Sequence, residues 1–173
     1  MLRFLNGVIF TLALFAGAAF AAVELGLVPW RADAASTRLE KWAARTSLNA
    51  SLRRESKSLT NPLQPSDAAL VEGVHTYGAN CAVCHGASDA KPSKLAQGFY
   101  IEAPMLGEHG VEDDPESEDF LKIKHGIRYT AMPAFGTTLS DEDIWKVAMF
   151  LRRMDHLPPA AQAEWEKIPS AAA

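Results

Sequence analysis

Cys81-Ala82-Val83-Cys84-His85 lies near the middle of the 173-residue chain and decides its fold. Two thiols separated by two residues and followed directly by an imidazole form the attachment motif of a c-type haem. The thiols add to the two vinyl groups of the porphyrin, and the imidazole becomes the proximal ligand of the iron. The pentapeptide therefore predicts one covalently attached haem c, held by Cys81, Cys84 and His85.

Two other uses of a Cys-x-x-Cys pair fit the sequence poorly. A thioredoxin-like redox pair follows a strand and opens a helix within a βαβ unit. This pair instead follows a helical stretch, in a chain without Val/Ile-rich strand patterns. A structural zinc site needs two further Cys or His ligands at matching spacing, and His109, His125 and His156 are scattered. If both cysteines carry thioethers, none remains for a disulfide.

An apolar segment opens the chain. Residues 4 to 23 carry no charge, and twenty helical residues rise about 30 Å, the thickness of the hydrocarbon core of a bilayer. We therefore predict a retained single-pass membrane anchor. Because Ala19-Phe20-Ala21 suits signal peptidase, cleavage as a secretory signal is the alternative. Both alternatives export the rest of the chain.

The segment after the anchor is basic. Residues 31–65 hold seven Lys/Arg against three Asp/Glu. Residues 37 to 59 have helical spacing, which predicts a helical stem lying against anionic lipid or a partner subunit, the alternative being a solvated stalk. The residues predicted to share one side of this helix are Leu39, Trp42, Ala43 and Thr46. Pro62 and Pro65 end any helix and mark a domain boundary.

The haem domain is predicted to follow at residue 66. Ser66 can cap a helix that runs into the haem motif. Further helices are expected from Ser117 to His125 and after the capping box that begins at Ser140. Residues 66–157 hold eight Lys/Arg against fifteen Asp/Glu, a net charge of −7, which argues against a uniformly basic nucleic-acid binder. The predicted parts are an anchor at 1–30, a stem at 31–65, a haem domain at 66–157 and a C-terminal extension at 158–173.

The loop regions of this domain hold one acidic run. Residues 86 to 111 are rich in Gly and Pro and predict a loop. The run from Glu112 to Asp119 favours a solvated loop and the first turn of a helix. A calcium site is disfavoured because the EF-hand glycine and terminal Glu are missing.

Met132 is the predicted sixth ligand of the iron. Because it precedes Pro133, its backbone is extended, and its thioether can project from a rigid loop. Methionine more often fills a core gap, but a haem site that lacks its sixth ligand favours ligation. Met105, which follows Pro104, is the second candidate, and His125 is the third.

The sequence resembles the class I, single-haem cytochromes c. The resemblance covers residues 66 to 155, from Gly73 and Tyr77 through the haem motif to Met132-Pro133-Ala134-Phe135 and the helix around Trp145. It implies an all-α, cytochrome c-like domain of three to four helices around the haem. It also implies that the first and last helices of that domain cross, with Gly73 and Tyr77 against the face around Trp145 and Ala148. His85 and Met132 as axial ligands would leave no vacant iron position.

These features together predict an electron carrier. We expect a membrane-anchored monohaem cytochrome c of the bacterial inner membrane that faces the periplasm and transfers single electrons between redox proteins. With the signal cleaved it would be soluble in the periplasm. One alternative is a cytochrome subunit of a dehydrogenase or oxidase complex, and another is a haem sensor or peroxidase-like enzyme with a displaceable sixth ligand. No nucleic acid or small-molecule substrate is expected.

Overall fold

The computed structural model describes residues 1–107 and 113–171. Its helices are α1 (Leu2–Glu24), α2 (Arg38–Glu55), α3 (Asp67–Asn80), α4 (Ala82–His85), α5 (Glu116–His125), α6 (Asp141–Arg152) and α7 (Pro159–Trp165). Short 3-10 turns lie at Ser56–Ser58, Ala96–Gly98, Phe135–Thr137 and Met154–His156. No strand occurs in the described ranges, and the predicted all-α fold class is confirmed. Some residues on which the predictions above depend lie outside these ranges, namely His109, Glu112 and residues 172–173.

The chain divides into two compact units, Met1–Ala34 and Ala35–Ala173. The first unit contains α1, none of whose side chains is buried. Its most apolar window of 18 residues has a mean hydropathy of 2.0. The helix is therefore long and apolar enough to cross a membrane, although a signal sequence has the same length and composition.

The second unit includes α2, which the sequence predicts as a separate stem. Thr37 caps α2 through the amide of Glu40, and the Glu40 carboxylate accepts the Thr37 amide in return. Leu52 is buried in the core, and Leu48 packs against that core with partial burial. The structure therefore groups residues 35 to 65 with the haem domain, because leucines from this segment contribute to one common core.

The side of α2 that carries Leu39 and Trp42 does not face the core. Leu39 and Trp42 are 70% and 65% exposed, because the inward-facing leucines come from the second half of the helix. The segment after α2 is also tied to the domain, since Asn61 donates a hydrogen bond to the Glu116 carboxylate at 2.9 Å.

Helices α3 and α6 cross at close range, as the resemblance implies. A Cβ at Gly73 would overlap the backbone carbonyl of Lys146, so only glycine permits this approach. Tyr77 contacts Phe150 edge to face, with ring centroids 5.5 Å apart. On α6, Lys146 and Phe150 lie closest to Gly73, and Phe150 also contacts Tyr77. Trp145 stacks on Phe120 of α5 instead, with centroids 4.1 Å apart.

The predicted C-terminal extension belongs to the same core. Pro159 occupies the first turn of α7, where a missing amide hydrogen costs nothing. Ala161 and Trp165 are buried, and the Trp165 ring lies edge to face against both Tyr77 and Phe150. Helix α7 therefore covers the outer side of the α3–α6 crossing.

Candidate haem-binding site

A cavity of about 490 Å³ lies beside the Cys-x-x-Cys-His turn, within the size range of pockets that hold small molecules and cofactors. Its walls come from α2, α3, α5, α6 and the loops before α5 and α6, and most of its lining is apolar. The residues that bear on its chemistry are Arg45, Asn49, Cys81, Cys84, His85, Pro104, Asp114, Asp119, Lys122, Thr130 and Met132.

The haem motif forms a short helical turn at the end of α3. The amides of Cys84 and His85 both donate to the carbonyl of Cys81, which brings the two thiols and the imidazole onto one stretch of the cavity wall. The Tyr77 hydroxyl donates to the carbonyl of Gly86 at 2.8 Å. Gly86 has φ of +76°, a conformation that favours glycine, so the turn ends at a fixed point.

Cys81 and Cys84 form no disulfide in the described structure, and their surroundings oppose ionisation of the thiols. Burial raises the pKa of Cys81 to about 12, helped by the nearby Cys84, and burial also raises the pKa of Cys84. Redox-active and zinc-binding cysteines have lowered pKa values instead. Within the described residues, no three His, Cys, Asp or Glu side chains are arranged to hold a metal ion. The raised pKa values therefore argue against a redox-active or zinc-binding pair.

One ring nitrogen of His85 is hydrogen-bonded, and the other has no partner among the residues that the structure describes. Nδ1 lies 2.9 Å from the backbone oxygen of Pro104, and since a carbonyl only accepts, Nδ1 carries the proton. Burial lowers the pKa of His85, against the opposing effect of this hydrogen bond. The imidazole is therefore neutral, and its Nε2 lone pair is available to a metal. Such a hydrogen bond to the second nitrogen orients a ligating histidine.

The Pro104 contact was missed from the sequence. Pro104 is considered there only as the neighbour of Met105, and its carbonyl acts on a histidine 19 residues earlier. No spacing rule points to such a pairing, because a backbone oxygen carries no side-chain signature.

Met132 lies on the wall of the same cavity, in a loop with fixed backbone. The Thr130 hydroxyl oxygen accepts the Met132 amide at 3.1 Å, and the Ile127 amide donates to the Met132 carbonyl at 3.2 Å. Gly126 has φ of +65°, and a Cβ there would lie 2.6 Å from the carbonyl carbon of Pro133. The close return of this loop therefore needs glycine at position 126.

The two rival ligands lie elsewhere. Met105 does not line the cavity, and its sulfur would lie 3.3 Å from a Cβ placed on Gly86. His125 is exposed at the last position of α5 and is also absent from the lining. The structure thus brings His85 and Met132 into one cavity and leaves the other two candidates outside it.

One part of the cavity wall is charged. Asp119 lies in the first turn of α5, as the sequence predicts. Its side chain is only 3% exposed, so it is buried and not solvated. Its Oδ1 accepts from Lys122 Nζ at 3.1 Å, and Lys122 also donates to Asp114 at 2.5 Å. Asp119 Oδ2 is buried without a hydrogen-bond partner in the described structure.

Residues 68–151 match the family model described as "Cytochrome C oxidase, cbb3-type, subunit III". The chain is also 33% identical over 92 residues to cytochrome c6 of Picosynechococcus sp., covering 52% of this chain and 75% of that relative. Cytochrome c6 of Diacronema lutheri is 28% identical over 82 residues, covering 47% of this chain and 92% of that relative.

The chain belongs to the single-haem c-type cytochromes. As a member of this family it carries covalently attached haem c with iron, for which Cys81 and Cys84 are present. It is therefore an electron-transfer protein with one haem. The matched segment of this cytochrome begins after α2 and ends before α7, so both helices lie outside it.

Proposed function

We propose that this cytochrome is a membrane-tethered carrier of single electrons whose iron is ligated by His85 and Met132. The observation that carries the proposal is that the haem motif and Met132 line one cavity, while Met105 and His125 do not. The free Nε2 of His85 and the thioether of Met132 are the two donors that such an iron needs.

The protein's part in this function is to hold and shield the group. The bound haem c supplies a one-electron iron couple. Cys81 and Cys84 fix it covalently, Pro104 orients His85, and Thr130 orients the backbone of Met132. Val147 and Leu151 of α6 give the cavity an apolar, buried wall. Methionine ligation together with exclusion of water favours the ferrous form.

Two variants test the ligand assignment. We expect the oxidised wild-type protein to show the sulfur-to-ferric charge-transfer band at the red end of the visible spectrum. Met132→Ala should lose that band, and Met105→Ala should keep it, because only Met132 lines the cavity. Loss of the band in Met105→Ala alone, or a high-spin, five-coordinate spectrum in the wild type, would contradict the proposal.

The tether is proposed from α1. Retention of this helix would confine the haem to the membrane surface and raise its effective concentration near membrane partners. Export is proposed with either fate of α1, and a retained helix would leave the haem domain in the periplasm. The mass of the mature protein, recovered from membranes after a carbonate wash, tests this part. Loss of the first twenty-odd residues would replace the tether with a cleaved signal.

A second candidate function is that of a subunit in an oxidase complex. The matching family model is named for a subunit of an oxidase, and α2 and α7 lie outside the matched residues, where they offer additional surface. Affinity purification from native membranes in mild detergent distinguishes the two functions. Stoichiometric co-purification with oxidase subunits would favour the subunit, and recovery of the cytochrome alone would favour the free carrier.

A further inference from the structure

Asp119 is the one acidic side chain of the haem cavity wall with a buried oxygen left unpaired in the described residues. It belongs to α5, one turn from Ile123, which also lines the cavity. Burying a carboxylate without full hydrogen bonding is costly. A buried oxygen that no protein group satisfies is therefore poised to hold a proton.

The charges around Asp119 act in opposite directions. Lys122 pairs with Oδ1 and favours the ionised Asp119 carboxylate, whereas the negative charges of Asp114 and Glu118 disfavour it. The groups contributed by the elements packed against α5 are Arg45 of α2 on the same cavity, the exposed Lys57 of the turn at Ser56–Ser58, the apolar Val147 and Leu151 of α6, Asp141 of α6, which pairs with Lys124, and Arg153 after α6, which pairs with Glu116. The turn at Phe135–Thr137 carries no charge.

Burial dominates this balance. It raises the pKa of Asp119 to about 7, against the opposing attraction of Lys122. The carboxyl therefore changes charge in the pH range in which an exported protein works.

We propose that this cytochrome couples proton uptake to electron transfer, and that the proton is taken up and released by the Asp119 carboxyl. With one electron delivered to the haem by a redox partner, the Asp119 carboxylate would take one proton from solvent. When the electron passes to the acceptor, the carboxylic acid returns that proton. The proposal rests on the proposed carrier function, because the electron must reach an iron in this cavity.

The coupling follows from charge alone. Reduction removes one positive charge from the cavity that Asp119 lines, and a nearby positive charge favours the ionised carboxyl. The carboxyl therefore binds its proton more tightly when the iron is ferrous. By linkage the midpoint potential must fall as pH rises between the two pKa values of Asp119.

Spectroelectrochemical titration of the full-length holoprotein tests the proposal. From about pH 5 to about pH 9, the potential should fall with a slope that approaches one proton per electron, or about 59 mV for each tenfold change in proton activity. In Asp119→Asn the midpoint potential should no longer change with pH, and it should stay near the value that the wild type has at low pH. The control Asp113→Asn should keep the slope, because Asp113 is exposed and does not line the cavity. An unchanged slope in Asp119→Asn would overturn the proposal and assign the proton to another group.

A measurement on the wild-type protein avoids dependence on a variant that fails to take up haem. Reduced-minus-oxidised infrared spectra near neutral pH should show a carboxylic acid band appearing on reduction. That band should shift when the protein is produced with aspartate that carries an isotope label in its carboxyl group. Bands of the haem propionates should not shift, because the label does not enter them. Two results would contradict the proton coupling and leave the carrier function intact. One is a band that does not shift with labelled aspartate, and the other is a midpoint potential that does not vary with pH in a protein whose spectrum shows methionine ligation. Failure of the carrier function would be visible separately, as the missing sulfur-to-ferric band.

Discussion

Gly126 shows how one backbone position determines where Met132 lies. Its positive φ and its contact with the Met132–Pro133 backbone both exclude a side chain. This close approach lets the amide of Ile127 donate to the Met132 carbonyl, which closes the methionine loop. The proposed ligand therefore depends on a residue six positions away that carries no chemistry of its own.

Gly126→Ala should weaken both the loop and the iron ligation. We expect a loss of stability of about 1–2 kcal/mol from the left-handed backbone alone, with more from the contact, and a weaker sulfur-to-ferric band. Gly98→Ala is the matched control, since nothing lies within 4 Å of a Cβ there. Denaturant titration followed by absorption measures both effects, and equal stability of the two variants would refute this account of the loop.

Asp119 should also make stability depend on pH. Its folded pKa is raised to about 7 from an ordinary value of 3.8, so the folded state binds more protons between these values. The free energy of unfolding contributed by this group is therefore fully present below about pH 4 and is lost as pH rises through about 7. Each unit of pKa difference corresponds to about 1.4 kcal/mol, which gives an effect of a few kcal/mol.

Asp119→Asn should therefore unfold at higher denaturant concentration than the wild type at about pH 8, with a smaller difference at about pH 4. Urea titrations at both values measure this. A variant that is less stable than the wild type at pH 8 would show that the ion pair with Lys122 outweighs the cost of burial.

At the scale of elements, the sequence predicts that α2 is a helix but does not predict which side of it faces the core. The sequence predicts this helix from its periodicity. It also predicts the caps of two other helices from residue type, at Ser66 and Ser140, whose hydroxyl oxygens accept the amides of Ala69 and Asp143. Which side of α2 faces inward does not follow, because Leu39 and Trp42 suggest one face and Leu48 and Leu52 another. Only packing against the haem domain selects between them. The same limit applies to the Pro104–His85 hydrogen bond, which joins residues far apart in sequence.

Paired substitutions on α2 test whether it is part of the cooperative core. Leu52→Ala should cost about 2–5 kcal/mol, the usual effect of removing a buried leucine, because Leu52 is 6% exposed. Leu39→Ala, at 70% exposure on the same helix, should change stability by less than about 0.5 kcal/mol. Denaturation of both variants measures the difference, and equal small effects would mean that α2 is a stalk after all.

At the scale of the whole molecule, charge is distributed unevenly along the chain. The segment of residues 66–157 has a net charge of −7, and residues 31–65 have +4. A redox partner with a positive docking face should therefore associate quickly at low salt and more slowly as salt rises. Stopped-flow electron transfer with a cationic partner protein measures this, and a salt-independent second-order rate constant would contradict it.

The proposed ligation by His85 and Met132 leaves the iron no vacant position, so that this cytochrome carries electrons and does not bind or activate a ligand. Exposure of the reduced wild-type protein to carbon monoxide, followed by visible absorption, tests that claim most directly. With His85 and Met132 both ligated, the ferrous spectrum should stay unchanged at carbon monoxide saturation near neutral pH. Immediate formation of a carbon monoxide complex would show an open or easily vacated site and would favour a haem sensor or enzyme.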